Sequence, residues 1–591
     1  MKYALLCEFY DSVGKNPKRL AKTKALTNLL IKTPSEDFQQ VIYLVQGNVF
    51  PGYSKEKIGV ADRLILKALS LATGASEIEL EKSWKTTGDL GEVAKVTITK
   101  KRQATLFSTP LLVEKVFSNI RKLVETEGEG SVDRKMQLIS ELLTSAAPTE
   151  AKYVTRTVLG DLRVGVGEGI IRDAIVWAYL WNDIPYNEEK GTLDLDEEGR
   201  KKYDTYCLLV QSAYDILNDF AEVALRLKTT GAESIKDVPV VVGKPLKVML
   251  YQKAVDSKDA IATVGLPCAC EYKYDGFRLQ IHKDGMVVTL FTRRLENVTN
   301  QFPDVVKAVL DNVSCTRCIL DAEAVGYDVV TGKYIAFQNI SQRIRRKYDI
   351  QEIATKFPVE VNVFDVLFIE RQGLLGTDFI ERRKILEKIV PRVARVIMPS
   401  QIKMAGTEEE MMAFYSKSLA AGNEGIMAKN LTAPYKPGSR VGYGVKLKPV
   451  MEGLDLVIVG AEWGEGKRAG WLTSFTIACQ DEEGDILEIG KLGTGIKEKE
   501  EEGVSFEELT NKIKPLILRE DGREVTIKPE IVIEVHYEEI QKSPTYASGY
   551  ALRFPRFVRI RDDKPVEEIS SLHLIDALYN AQRGRDQKGN K

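Results

Sequence analysis

The 591 residues are about four times the ~150-residue prior for one domain, so two to four domains are expected and a small stapled or metal-nucleated scaffold is excluded. Charged residues at 29% and hydrophobic residues at 44% describe an ordinary globular chain and exclude pervasive disorder. Lys+Arg 84 against Asp+Glu 85 leaves a net charge of -1, so bulk charge names no polyanionic partner and any nucleic-acid surface must be a local stripe.

From Met1 to about residue 225 the pattern is helical. Residues 60–71 (VADRLILKALSL) and 137–146 (QLISELLTSA) space their apolar positions at three and four, and Gly, Pro and Asp clusters punctuate the segments. Residues 237–245 (DVPVVVGKP) interrupt this rhythm and read as a linker. From about residue 265 strands are expected in LQIH, MVVTLF, CILDAEAVGYD and VNVFDVLFI, with helical inserts. After Pro449, LDLVIVGAEW, SFTIACQD and IVIEVHYEEI, among many glycines, suit a small β-barrel, and the last residues, AQRGRDQKGNK, read as a frayed tail. The expected domains are therefore 1–225, 226–448 and 449–591. No stretch approaches the ~18 apolar residues of a membrane span and the start lacks a signal-peptide pattern, so a cytoplasmic protein without membrane association is expected. Seven cysteines are too sparse for a disulfide framework, and His282, His536 and His573 are far apart, which leaves catalysis to Lys, Arg, Asp and Glu.

Apolar text runs into Glu271-Tyr272-Lys273-Tyr274-Asp275-Gly276-Phe277-Arg278. In an extended chain Glu271, Lys273 and Asp275 share one face, and three ionisable groups there need a polar cleft, because burial without partners is costly. An exposed amphipathic edge strand fits the alternation as well, and a K-x-D-G string arises by accident in a chain this long with probability on the order of 0.1 to 0.2. More chemistry follows in order: Phe291-Thr292-Arg293-Arg294-Leu295-Glu296, Leu320-Asp321-Ala322-Glu323-Ala324-Val325, Val363-Phe364-Asp365-Val366-Leu367, Glu424-Gly425-Ile426-Met427-Ala428-Lys429, Val445-Lys446-Leu447-Lys448 and Arg553-Phe554-Pro555-Arg556. Lys446 and Lys448 alternate with Val445 and Leu447, which puts two ammonium groups on one face, suited to a phosphate or simply to solvent. Glu323 is an acid where a hydrophobe is expected, so a metal, a hydroxyl or a cation must compensate it.

This ordered series resembles the nucleotidyltransferase motifs of the ATP-dependent DNA ligases, the archaeal members above all, and the likeness covers nearly the whole chain, with 43–69 and 155–169 similar to that family's DNA-binding domain. The resemblance implies an all-α N-terminal DNA-binding domain, an α+β nucleotidyltransferase (ATP-grasp-like) adenylation domain and an all-β OB-fold C-terminal domain. It implies that Lys273 attacks the α-phosphate of ATP, that AMP passes to the 5′-phosphate of a nick, and that the 3′-hydroxyl then displaces AMP. By the same resemblance Glu271 reads the adenine amine and Phe364 stacks on the ring. Arg278 and Arg293 contact ribose or phosphate, Arg440 makes another phosphate contact, and Glu323 belongs to the ribose and metal region. Lys446 meets the α-phosphate, with Lys448 close by and Lys429 in the same cluster, and Arg553 and Arg556 reach the departing pyrophosphate. Glu323 and Glu424 are the candidate ligands of Mg2+, with Mn2+ as an alternative. Nicked duplex DNA is the implied partner and a monomer the implied state, in replication, repair and recombination.

Lys101-Arg102-Gln103-Ala104-Thr105-Leu106-Phe107 resembles the clamp-binding motif of archaeal ligases, with Gln103, Leu106 and Phe107 as anchors for a sliding clamp, although an internally packed loop fits it too. Two departures stand out: Gly444 where many relatives carry an aromatic residue, and Lys247-Val248-Met249 where a proline usually precedes the methionine. Cys268-x-Cys270 and Cys315-x-x-Cys318 could approach one another as a zinc site or a disulfide, or could be small core residues. Without a G-x-x-x-x-G-K-[ST] string no P-loop ATPase is supported. An RNA ligase or GTP-using capping enzyme would share the Lys273 core without the long helical domain, and a non-catalytic clamp would keep only the fold.

Overall fold

The computed structural model describes residues 1–54, 56, 58, 60–100, 110–335, 340, 343, 350–438, 440–449, 453–464, 468, 470–498 and 503–581. The chain forms two compact units, one of residues 1–252, 275–400 and 430–443, the other of residues 253–274, 401–429 and 444–591.

The first unit opens with helices, as the three-and-four spacing requires. Residues 60–71 give the helix Asp62–Thr73, ended by Gly74 in the left-handed region, and residues 137–146 lie within Ser131–Ser145. Their apolar stripes meet in a buried cluster running from Tyr3 to Val238, and the helix Phe220–Thr230 passes through position 225. The expected linker is a fastened segment. Lys247 N–H donates to the Asp215 carbonyl at 2.9 Å, Asn218 donates to the Pro245 carbonyl, and Gly243 N–H donates to His282 Nδ1 at 2.9 Å. Leu246 and Gln280 exchange two hydrogen bonds, at 2.9 and 3.1 Å. Its Val-Gly-Lys-Pro text breaks helix and strand, and side chains on both sides supply the backbone partners that water gives a free linker.

His282 accepts from Gly243, so it must be neutral, and burial pushes its pKa down to about 3. The unfolded imidazole takes up a proton near pH 6.5 and the folded one does not, so stability is unaffected above that pH and falls as pH drops through it. We expect a loss of about 2 kcal/mol between pH 7 and pH 5 from this group. Urea titrations should show that loss in the wild type and not in His282→Phe; equal acid sensitivity of the two would contradict the assignment.

The same unit carries a sheet ordered Ile397–Pro399, Val359–Ile369, Arg317–Gly326, Phe277–Asp284, Val287–Thr292, antiparallel except at the first pair. Leu279, Ile281, Leu320, Ala322, Ala324, Val361 and Val363 fill the core behind it, so period-two alternation sends Arg278, Gln280, His282, Asp321 and Glu323 to the other face.

The second unit holds a sheet in which Cys268–Lys273 lies between Ile402–Ala405 and Gly425–Asn430, with Arg440–Leu447 next. Cys268, Cys270, Ile426, Ala428, Val445 and Leu447 share its core. Beyond it comes an all-β region. The strand Leu454–Trp463 pairs with Leu472–Gln480 along one edge and, on the other, with Val532–His536 and then Glu524–Ile527, the splaying that curls a sheet around one core. Val532–His536 also pairs with Arg556–Ile560, and Glu539–Lys542 pairs with Tyr550–Arg553. All seven cysteines are free and buried. Cys268 and Cys270, with sulfurs 3.9 Å apart, sit in one core, and Cys315 and Cys318 are close neighbours in another, the small-residue reading of both pairs. Among the described residues no helix is long and apolar enough to cross a membrane.

Candidate active site

Register fixes which charges share a face. Met427 stands opposite Lys446, and Lys429 opposite Gly444, while their neighbours Ile426, Ala428, Val445 and Leu447 point into the core. In Cys268–Lys273 the cysteines occupy that core, so Ala269, Glu271 and Lys273 take the other face. Glu271, Lys273, Lys429 and Lys446 therefore lie on one side of this sheet. Gly444 belongs to that charged side, directly across from Lys429, and leaves the packing behind Lys446 to Val445 and Leu447. The strand stops at Lys273. Asp275 falls in the following bend, so the expected alternation covers Glu271 and Lys273 only.

The Lys273 ammonium is 2.7 Å from the Glu424 carboxylate, which also receives Lys448 at 2.6 Å. Burial would raise the Glu424 carboxyl, but the two ammonium groups outweigh it and hold it well below the usual carboxylate range. Glu424 reaches this place because its N–H donates to the Lys273 carbonyl at 2.8 Å and because Gly425 follows it. At Gly425 φ is +137° and a Cβ would lie 2.1 Å from the Leu447 carbonyl oxygen, so only glycine lets the two strands close. Lys448 meets Glu538 at 3.5 Å, and Glu271 forms a buried ion pair with Lys429. In the all-β region Arg553 binds Glu539 at 3.2 Å and Arg556 is exposed.

On the polar face of the first unit's sheet, Arg278 donates to Asp321 at 2.9 Å and to the Met249 carbonyl at 2.9 Å, and its guanidinium lies 5.3 Å from the Phe364 ring centre. Tyr435 donates to Asp321 at 2.9 Å and accepts from Met249 N–H at 3.0 Å. Glu323 is half-buried, with Arg278 opposite it on one neighbouring strand and Asn362 on the other. A Cβ on Gly276 would come within 2.8 Å of Glu323 Cγ and 2.5 Å of the Ala324 carbonyl oxygen, which explains the glycine of the K-x-D-G string.

Phe364 departs from the alternation around it. Asp321 pairs with Asp365 and Ala322 with Val363, so Phe364 is the extra residue of a β-bulge, half-buried rather than in the core. Arg293 is exposed in the turn after Val287–Thr292, which the Thr292 hydroxyl holds by accepting from Arg294 and Glu296 N–H. Arg440 begins Arg440–Leu447, but its side chain lies outside the described residues, as do Gln103, Leu106 and Phe107 entirely. Asp321, Tyr435 and Glu538 were missed by sequence reasoning. Only Asp321 left a signal, its two-residue spacing from Glu323.

A helical part, a lysine-bearing sheet with an acid-bridged cation cluster, a second sheet with a polar face and an all-β region are the parts of a nucleotidyltransferase. Three family models match: the DNA ligase N terminus over residues 2–176, the ATP dependent DNA ligase domain over 248–448 and the ATP dependent DNA ligase C terminal region over 468–564. A DNA ligase of Nanoarchaeum equitans is 44% identical over 587 residues, covering 99% of each chain, and one of Thermococcus fumicolans is 42% identical over 583 residues, covering 98% of this chain and 99% of the other. The solved structure described as Pmar-Lig_PreS3 shares the fold, with a TM-score of 0.55 at 16% identity, covering 94% of this chain and 99% of that one. The chain belongs to the ATP-dependent DNA ligase family. It is an ATP-dependent enzyme that seals nicks in DNA by forming phosphodiester bonds.

Proposed function

We propose that Lys273 is the nucleophile of this reaction, and the observation that carries the reading is its ammonium held at 2.7 Å by a carboxylate that also binds Lys448. An ammonium has no lone pair, so the amine first gives a proton to water. Its nitrogen then bonds to the α-phosphorus of ATP as the bond to the bridging β-oxygen breaks, and pyrophosphate leaves with that electron pair. A 5′-phosphate oxygen of the nick takes AMP from the nitrogen, and the 3′-hydroxyl oxygen finally displaces AMP.

Lys446 and Lys448, as compact cations, meet the phosphates, and Arg553 and Arg556 meet the departing pyrophosphate. Phe364 stacks on adenine. Glu271 reads the adenine amine, its charge balanced by Lys429. Arg278, locked by Asp321, lines the ribose side with Arg293 and Glu323, and Arg440 meets a phosphate. Glu323 and Glu424 are the groups that would hold a magnesium ion, or manganese. An ion held there would take its remaining ligands from phosphate oxygens and water. Bound there, the ion would neutralise phosphate charge.

The helical domain grips phosphates of nicked duplex DNA, the barrel closes on ATP and then on DNA, and the boundaries fall near 225 and 448. A sliding clamp bound through Gln103, Leu106 and Phe107, a monomeric state, a cytoplasmic setting and a part in recombination complete the reading, carried by the sequence. With α-labelled ATP and a divalent metal, the protein should become labelled and pass the label to a nicked duplex. Labelling by GTP in place of ATP, or label that never reaches DNA, would overturn it.

A further inference from the structure

The turn Arg553-Phe554-Pro555-Arg556 joins the strands Tyr550–Arg553 and Arg556–Ile560, and it is strained. Phe554 has φ +51°, a region a bulky side chain rarely adopts, and the residue is 65% exposed, so no burial of its own holds it there. The Arg553 guanidinium lies over this ring at 5.3 Å. A strained turn persists only where the surroundings over-determine it.

Those surroundings are two residues distant in sequence. Thr494 Oγ1 donates to the Pro555 carbonyl at 2.7 Å, and the Thr494 carbonyl accepts from Phe557 N–H at 2.8 Å, so one residue grips both sides of Arg556. Gly495, at φ +97°, packs against the same backbone. A Cβ there would lie 2.3 Å from the Phe557 carbonyl oxygen, 2.8 Å from its nitrogen and 2.9 Å from Arg556 Cγ. The pair follows the strand Ile486–Leu492.

We propose that Thr494 and Gly495 are positioning residues for lysyl-AMP formation, holding the 553–556 turn so that Arg553 and Arg556 meet the leaving pyrophosphate. This rests on the role proposed above for those arginines. The hydroxyl fixes the Pro555 carbonyl, the glycine allows the close approach, and the phenylalanine is kept in a conformation that separates the two guanidinium groups along the turn.

The test measures single-turnover lysyl-AMP formation over a range of ATP concentrations in Thr494→Val, Thr494→Ser, Arg556→Ala and the Thr494→Val/Arg556→Ala double variant of the full chain, with melting temperatures. Thr494→Val should slow the step about ten-fold, Thr494→Ser should stay within about two-fold of wild type, and the double variant should be no slower than Arg556→Ala alone, as for residues acting through one group. Effects that multiply in the double variant, or a Thr494→Ser as slow as Thr494→Val with a matching drop in melting temperature, would reduce Thr494 to a structural residue and overturn the proposal. A slow Arg556→Ala beside a wild-type Thr494→Val would overturn it while leaving the arginine's role standing. An Arg556→Ala of wild-type rate would overturn both.

Discussion

Lys273→Ala is expected to bring lysyl-AMP formation below detection, a loss of about 10⁴-fold or more, because no other side chain can supply the attacking nitrogen from the same position. Nick sealing from ATP should disappear with it. A nick that already carries a 5′-adenylate should still be sealed, within about ten-fold of wild type, since displacement of AMP by the 3′-hydroxyl needs no lysine nucleophile. That contrast separates a catalytic loss from a folding loss. The side chain is about one-fifth exposed and ends its strand, so its removal should leave the melting temperature nearly unchanged. Residual lysyl-AMP in Lys273→Ala would assign the nucleophile elsewhere.

The second large effect is expected at Glu424. Its carboxylate holds Lys273 at 2.7 Å and Lys448 at 2.6 Å, and among the described residues no other acid forms an ion pair with Lys273. Glu424→Gln leaves two neighbouring ammonium groups without their shared anion, so they repel and Lys273 loses its aim. Misplacement of a reacting group by about 1 Å costs on the order of 10²-fold, and a fall of about 10² to 10³ in lysyl-AMP formation is expected. The acid limb of stability changes too. A carboxyl held below its unfolded value of about 4.3 contributes stability that is complete above that pH and lost as pH falls through the lower folded value, and Glu424→Gln should lack this dependence. A Glu424→Gln enzyme within two-fold of wild type would show that the bridge is incidental.

Much of this chemistry could be read from the sequence because it obeys period two. The alternation of Glu271 with Lys273, and of Lys446 with Val445 and Leu447, put the charges on one face as found. The reading failed where the period breaks. Asp275 shares the alternation with Lys273 in the sequence, yet the strand ends at Lys273, two residues before it, and the chain bends at a glycine that lets Ala324 approach. Phe364 sits in unbroken alternating text, but an extra residue in one strand can be seen only against its partner, and the bulge is set by Ala322 and Asp321. The partners of Arg278 come from Met249, Asp321 and Tyr435, whose meeting depends on chain topology. The 237–245 stretch looked free for the same reason, because His282 and Gln280, which fasten it, lie far along the chain. Thr494 carries no charge and no recognisable motif, so nothing but the folded turn points to it.

The most direct measurement is a peptide map of the wild-type protein after incubation with ATP and magnesium in the absence of DNA. One AMP should be found, bound through nitrogen to the peptide containing Lys273, and it should vanish when nicked duplex is added. A map in which Lys273 is unmodified while another side chain carries the nucleotide would contradict the mechanism.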